Sequence, residues 1–167
     1  DTWAASRDCW PRDTLNFWNG TPETEQPDWV VWPESADEVA EVLSYAMEQK
    51  KTVVPYGAGS GVCGGARGQS GAVVIDTKRL NTIGPLNEIR GTVRVQAGVN
   101  GQHLEDWLQA RGYTLGHSPS SISCSTIGGW AAARGAGQFS SYYGVFEDMV
   151  VGVTAVSPSK GVFHVGL

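Results

Sequence analysis

Cysteine is scarce: Cys9, Cys63 and Cys124 are the only three in 167 residues, and they stand far apart with no C-x-x-C pair. Neither a disulfide framework nor a thiolate zinc site follows from such spacing, and a reducing, cytoplasmic setting is the expectation. Histidine is equally sparse; His103, His117 and His164 are scattered, so no metal constellation is signalled. Long apolar runs are missing too. None approaches the roughly 20 residues that span a bilayer, and no signal peptide opens the chain. The sequence starts at Asp1 and not at methionine, which leaves room for a trimmed leader. Positive charge is in deficit, with 12 Lys and Arg against 17 Asp and Glu for a net charge of −5. Without a basic block nothing would neutralise a nucleic-acid backbone, so no nucleic-acid partner is expected. Any phosphate bound here must be held by local groups.

What is present describes a folding chain. Apolar residues make up 41 % and charged residues 17 %, far from the balance of a disordered segment. The length fits one domain with its own core. Glycine is abundant: the 22 glycines are about twice the average usage of roughly 7 %. They cluster and do not repeat with a period, which excludes collagen and marks special loops.

Residues 1–28 show no sustained period and read as an irregular arm packed through Trp3, Trp10 and Trp18. Residues 29–167 read as one domain. "WVVWP" is a short strand, and "SADE" at Ser35 to Glu38 is a capping-box pattern. Val39, Val42, Leu43, Ala46 and Met47 follow at helical spacing, so a helix ends near Lys50. "TVVP" and "AVVID" (Ala72–Asp76) read as buried strands, and "TVRVQAG" as a half-exposed one with Val93, Val95 and Ala97 on one face. Leu104, Trp107 and Leu108 predict a helix that stops after Arg111 at Gly112. "GHSPSSISCSTIGG" is a long loop, a short helix is expected over about Gly129 to Arg134, and "MVVGVTAVSP" closes with a strand. No internal repeat is visible. The order of elements belongs to the mixed α+β class.

Two stretches carry the functional signal. Gly59, Gly61 and Gly64 satisfy G-x-G-x-x-G after a strand. The dinucleotide fingerprint, however, needs a helix beginning at the glycines, and "GARGQSGA" has no apolar stripe. A Walker A loop fails as well, because no Gly-Lys-Ser/Thr follows. What remains is a loop whose bare backbone can turn successive N–H groups inward and hold an anion without a basic side chain. A glycine-rich hairpin with no ligand gives the same pattern, and this loop alone leaves both readings open. The second stretch, "PSSISCSTIGG", presents Ser120, Ser121, Ser123, Ser125 and Thr126 before Gly128, Gly129 and the short helix, supplying hydroxyls and a helix N-terminus. Together the two loops could close on a dinucleotide.

"PDWVVWPESADEVAEVLSYAMEQKKTVVPYGAGSGVCGG", "IDTKRLN" and "VQAGVNGQHLEDWLQARGYTLGHSPSSISCSTIGGWAAARGAGQFSSYYGVFEDMVVGV" together resemble the FAD-binding domain of FAD-linked oxidases of the vanillyl-alcohol oxidase or PCMH type. The similarity spans roughly Pro27 to Gly152. Within that superfamily the sequence resembles the alkylglycerone-phosphate synthases and the related D-lactate and glycolate dehydrogenases. The resemblance implies the PCMH-type fold, small mixed sheets with flanking helices, and bound FAD. Cys63 and Cys124 sit beside the two loops, but small buried thiols are more common than covalent flavin attachments, so the FAD is expected to be held noncovalently.

By motif, the resemblance implies that Pro55, Gly57, Ala58, Gly59, Ser60, Gly61 and Val62 wrap the FAD diphosphate, with Asp76 near the adenosine half. Ser120, Ser121, Thr126, Gly128 and Gly129 would line the other side. Ala133, Arg134, Gly135 and Ala136 would pass close to the flavin and ribityl region. For Arg134, capping of helix-end carbonyls stands beside the flavin contact as an alternative. The activity implied is oxidation of a 2-hydroxy acid or similar alcohol, or alternatively the transferase chemistry of the synthases. In the family the chain continues into a substrate or cap domain that carries most catalytic residues. Here that half is expected to be absent, so no catalytic residue is carried over, a small-molecule substrate is expected only if the other half is supplied, and a non-catalytic flavin-domain remnant stays open. His117 and His164 are the nearby acid–base candidates, and lone histidines are more often structural.

Overall fold

The computed structural model describes residues 2–21 and 24–166. Its first long helix starts where the sequence places the cap. Ser35 is extended (φ −142°, ψ 163°), and its Oγ accepts the N–H of Glu38 at 3.1 Å ahead of α3 (Ala36–Glu48). The Glu38 carboxylate reaches back to the N–H of Glu34 at 2.7 Å, one residue before the usual capping-box partner.

Helix α3 is the crossover that lets β1 (Trp29–Val31) and β2 (Thr52–Tyr56) run parallel to β3 (Ala72–Asp76) in the order β1-β3-β2. Trp29 pairs with Val73 and Thr52 with Ala72. The central strand β3 is buried at all five positions, which is why "AVVID" is continuously apolar up to its last residue. Val73 faces α3 in an apolar groove with Trp29, Val42 and Tyr45. Val74 faces the other way, toward Gly68, Pro27 and the Ala5 carbonyl.

That second face is covered by the N-terminal segment, which is less irregular than its sequence suggests. It forms α1 (Thr2–Ala5) and α2 (Pro11–Trp18), the latter with proline in its first turn. It packs through buried Ala5 and Ser6 and half-buried Trp10, whereas Trp3 and Trp18 are 44 % and 74 % exposed. Aromatic content was therefore a poor guide to which residues anchor the arm.

The rest builds a second lobe. The antiparallel pair β4 (Ile83–Asn87) and β5 (Thr92–Val95) matches Ile83 with Val95 and Leu86 with Val93, with a register shift between them. Gly84 and Pro85 inside β4 break the alternation, so this strand is not expected from sequence. Helix α4 (Gly101–Gln109) is capped by Asn100, whose Oδ1 accepts the His103 N–H at 3.1 Å. Val99, Leu104 and Leu108 form its core with Ile83, Leu86, Val93, Val95 and Ile127. After α5 (Ile127–Ala133), α6 (Ser140–Tyr143) and α7 (Phe146–Met149), the hairpin β6 (Gly152–Ser157) and β7 (Gly161–Gly166) folds back on α3. Neither α6, α7 nor β7 is expected from the sequence pattern. On β6 and β7, Val153 and Val165 stay 45 % and 60 % exposed. The fold is α+β with small sheets and flanking helices. Among the described residues no helix is long and apolar enough to cross a membrane.

Candidate functional site

Strands β2 and β3 end side by side, with Tyr56 opposite Asp76. Asp76 is 3 % exposed and fully engaged. Its carboxylate accepts the indole N–H of Trp32 at 3.0 Å, the backbone N–H of Lys78 at 3.1 Å and Lys78 Nζ at 2.9 Å. It closes the sheet end beside the glycine loop, and its oxygens are already committed to protein donors.

The loop leaves Tyr56 at Gly57. Gly59 adopts φ +67° and lies directly under the Tyr56 hydroxyl, where a Cβ would collide; Gly64, at φ +75°, lies under the Trp10 ring. These two positions need glycine for conformation and for space together. Burial raises the Tyr56 pKa above its ordinary value, so the hydroxyl keeps its proton. Pro55, Ala58, Gly61 and Val62 are exposed, Gly57 and Ser60 half-buried, and Gly59 buried. No helix follows the loop, which agrees with the rejection of a dinucleotide fingerprint.

The serine loop turns at Ile122–Cys124 and ends at Thr126, which caps α5 through Gly129 N–H···Oγ1 at 3.3 Å. Ser125 is buried; it donates to the Ser121 carbonyl and accepts the Trp130 indole N–H, both at 2.7 Å. Ser120 is exposed and Ser121 half-buried. Among the described residues their hydroxyls have no protein partner. The expected free helix N-terminus is absent. Ile127 and Gly128 donate to the Val99 and Ala97 carbonyls at 3.0 and 2.8 Å, and Trp130 donates to the Thr126 carbonyl at 3.0 Å. The first turn of α5 is closed by the segment before α4, so Gly128 and Gly129 contribute closeness of backbone and not free donors.

The two loops meet. Thr126 Oγ1 fills the position of the missing side chain at Gly57, with its Cβ and Cγ2 3.6 and 3.7 Å from it. A second weld lies nearby, where Gly98 presses on the Thr77 carbonyl and its N–H donates to the Leu80 carbonyl at 2.8 Å. Glycine at 57 and 98 therefore lets the parallel-sheet lobe and the α4–α5 lobe approach backbone to side chain.

The third segment leaves α5 at Ala133. Arg134 takes the left-handed conformation (φ 51°, ψ 50°) and forms a two-pronged ion pair with Glu147, Nη2 to Oε1 at 2.7 Å and Nε to Oε2. The guanidinium is held by this carboxylate and not by helix-end carbonyls. The pairing raises the Arg134 pKa and lowers that of Glu147. Gly135 donates to the Trp130 carbonyl at 2.9 Å and accepts the Phe146 N–H at 3.0 Å, and Ala136 is exposed. Behind Gly135 sits His117, 2 % exposed, edge-on to Trp130 at 4.5 Å between centroids and 5.2 Å from Phe146. Among the described residues neither ring nitrogen has a hydrogen-bond partner, and burial lowers its pKa. His117 is a neutral core side chain under the segment. His164 lies in the terminal hairpin, Nδ1 2.9 Å from Thr154 Oγ1.

Sequence reasoning missed Tyr56, Glu147 and Cys9, whose backbone N–H donates to the Gly59 and Gly61 carbonyls. Their partners are tertiary, and in the case of Cys9 the contact is made by its main chain, which no side-chain pattern can reveal. Cys9, Cys63 and Cys124 are free and exposed.

The family model described as "FAD binding domain" matches residues 27–166. The chain is 38 % identical over 142 residues to alkyldihydroxyacetonephosphate synthase of Caenorhabditis elegans, covering 83 % of this chain and 24 % of that protein. It is 31 % identical over 150 residues to glycolate oxidase subunit GlcD of Bacillus subtilis (strain 168), covering 89 % and 32 % respectively. Among solved structures, an alkyldihydroxyacetonephosphate synthase superposes with a TM-score of 0.87 at 31 % identity, covering 96 % of this chain and 31 % of that one. The chain thus spans a quarter to a third of the length of these relatives. With a family match over most of its length and a site built of bare main chain where two loops join, this chain belongs to the FAD-binding domain family of FAD-linked oxidases.

Proposed function

We propose that the chain is the flavin-holding part of an FAD-linked oxidoreductase acting on a 2-hydroxy acid or a similar alcohol, with FAD held noncovalently through its diphosphate. The observation that carries this reading is the seat of Thr126 Oγ1 against Gly57. It brings the two glycine-bearing loops to one seam with unencumbered backbone on the open side. The residues present suit a doubly charged linkage. Gly57, Ala58, Gly59, Ser60 and Gly61 offer main chain with little side-chain bulk before Val62, and Ser120 and Ser121, in the loop that ends at Thr126, carry hydroxyls with no protein partner among the described residues. Gly128 and Gly129 keep the backbone close there, while Pro55 and Asp76 hold the strand ends from which the first loop springs. Ala133, Gly135 and Ala136 present a small-residue surface for the ring system, stiffened by the Arg134–Glu147 pair and by His117 beneath.

FAD, when bound, supplies a two-electron acceptor, and the protein's part is to orient it, exclude water and tune it. Adding FAD to the purified chain is expected to give a shifted flavin absorbance and a raised Tm. Acid precipitation is expected to release all flavin into the supernatant. Flavin retained in the pellet overturns noncovalent binding, and no spectral or thermal response overturns binding itself.

A second reading has support in the 38 % identity to the Caenorhabditis elegans synthase: ether-lipid-type transferase chemistry. Turnover of D-2-hydroxy acids with an artificial electron acceptor supports the oxidoreductase. Turnover confined to an acyl-glycerone phosphate supports the transferase, and retained flavin with neither activity supports a binding domain without catalysis of its own.

A further inference from the structure

The glycine loop does not set its own shape. The Cys9 N–H donates to the Gly59 carbonyl at 2.9 Å and to the Gly61 carbonyl at 3.1 Å. Three more contacts tie the same arm to the same loop. The Trp10 ring packs on Gly64, the Arg67 guanidinium pairs with Asp13 at 3.1 Å in a nearly buried bridge, and the Gly68 N–H donates to the Ala5 carbonyl at 2.9 Å. The arm precedes the residues matched by the family model, which begin at 27.

In a trans peptide the carbonyl and the following N–H point in opposite directions, and among the described residues no peptide is cis. Holding the Gly59 and Gly61 carbonyls on Cys9 therefore turns the N–H groups of Ser60 and Val62 away from the arm, toward the loop's other side. Among the described residues those two N–H groups have no acceptor. Gly59 and Gly61 lack a side chain to restrict their rotation, so without the arm these two peptides would sample many orientations.

We propose that the N-terminal arm, residues 2–19, is a clamp that pre-sets the diphosphate loop, with the Cys9 backbone N–H as its positioning group. This rests on the flavin reading above. The clamp spends arm contacts to fix two donors before the ligand arrives, so that FAD does not have to order them on binding. The Cys9 thiol has no part in it; the main-chain N–H does.

Cys9→Pro deletes that N–H, whereas Cys9→Ala, the conservative comparison, keeps it. FAD titrations followed by flavin fluorescence are expected to give Cys9→Pro about a tenfold weaker Kd, as loss of a hydrogen bond of ordinary strength implies, with Cys9→Ala close to the parent. Amide NMR separates positioning from a general loss of structure. In the parent and in Cys9→Ala the Ser60 and Val62 amide signals are expected to move on adding FAD; in Cys9→Pro they are expected to be exchange-broadened while those of Val99 and Trp130 keep their positions. Should Cys9→Pro fail to fold, Asp13→Asn loosens the arm at its ion pair and is expected to weaken FAD several-fold with the same amide signature. Equal FAD affinity in the folded variants, or movement of amides elsewhere in place of Ser60 and Val62, overturns the clamp and leaves the flavin reading standing. A parent chain that binds no FAD removes both.

Discussion

Thr126 Oγ1 stands where a side chain on Gly57 would have to go, and this contact, with the weld at Gly98, joins the parallel-sheet lobe to the α4–α5 lobe. The same hydroxyl caps α5. One atom therefore ends a helix and sets the width of the seam between the loops.

Gly57→Ala is expected to force the loops apart at a cost of about 1–3 kcal/mol, the usual range for overpacking. Thr126→Ala removes the obstructing oxygen but also the cap, costing about 1 kcal/mol alone. The double variant is expected to be more stable than the sum of the two predicts, because the clash needs both groups. Chemical denaturation of the four proteins measures the coupling; strict additivity would show that the contact carries no strain.

His117 gives the fold an acid limit. Burial among Trp130 and Phe146 lowers its pKa below the ordinary 6.5. The unfolded chain then binds a proton that the folded chain refuses, and stability rises with pH across that interval. His117's contribution is complete above about 6.5 and is lost progressively as pH falls below it. Tm measured from pH 8 to pH 5 is expected to decline below that point, and His117→Phe to flatten the decline. An unchanged acid limb in the variant assigns the decline to other groups.

Ser125 matters through Trp130. Its Oγ accepts the indole N–H at 2.7 Å in the buried core. Ser125→Ala leaves that donor without an acceptor and is expected to cost about 1–3 kcal/mol. Trp130→Phe in the same background removes the orphaned donor and is expected to recover part of the loss. Urea midpoints of the two variants decide the matter.

Ser35→Ala tests the α3 cap, expected at about 1 kcal/mol. Since α3 packs on both β2 and the terminal hairpin, hydrogen exchange in β6 and β7 is expected to quicken along with the first turn of α3. Quickening confined to that turn would show that the hairpin holds itself.

The local signals in the sequence proved to be those in which one residue acts on its near neighbours. Ser35 and Asn100 cap helices within three residues, Gly112 stops one, and the unbroken apolar run of Ala72–Asp76 follows from burial on both faces of a central strand. The resemblance carried by "VVPYGAGSGVCGG" and "GHSPSSISCSTIGGW" placed the chain in its family for the same reason: bare backbone at those places is written as glycine, and glycine is visible.

What a residue does across the fold was decided elsewhere. The resemblance puts Asp76 near the adenosine half and leaves Arg134 between a flavin contact and a helix cap, and nothing along the chain shows that their charges are met by Lys78, Trp32 and Glu147. The α5 N-terminus looks like a free donor set, yet Val99 and Ala97 close it. The arm looks irregular, yet it covers Val74 and grips the glycine loop through a main-chain N–H. The sequence by itself determined which segments form and which loops are bare, because those properties depend on neighbours along the chain. Only the tertiary structure decided which polar groups remain unpaired for a ligand, because pairing depends on groups that the chain brings together from far apart.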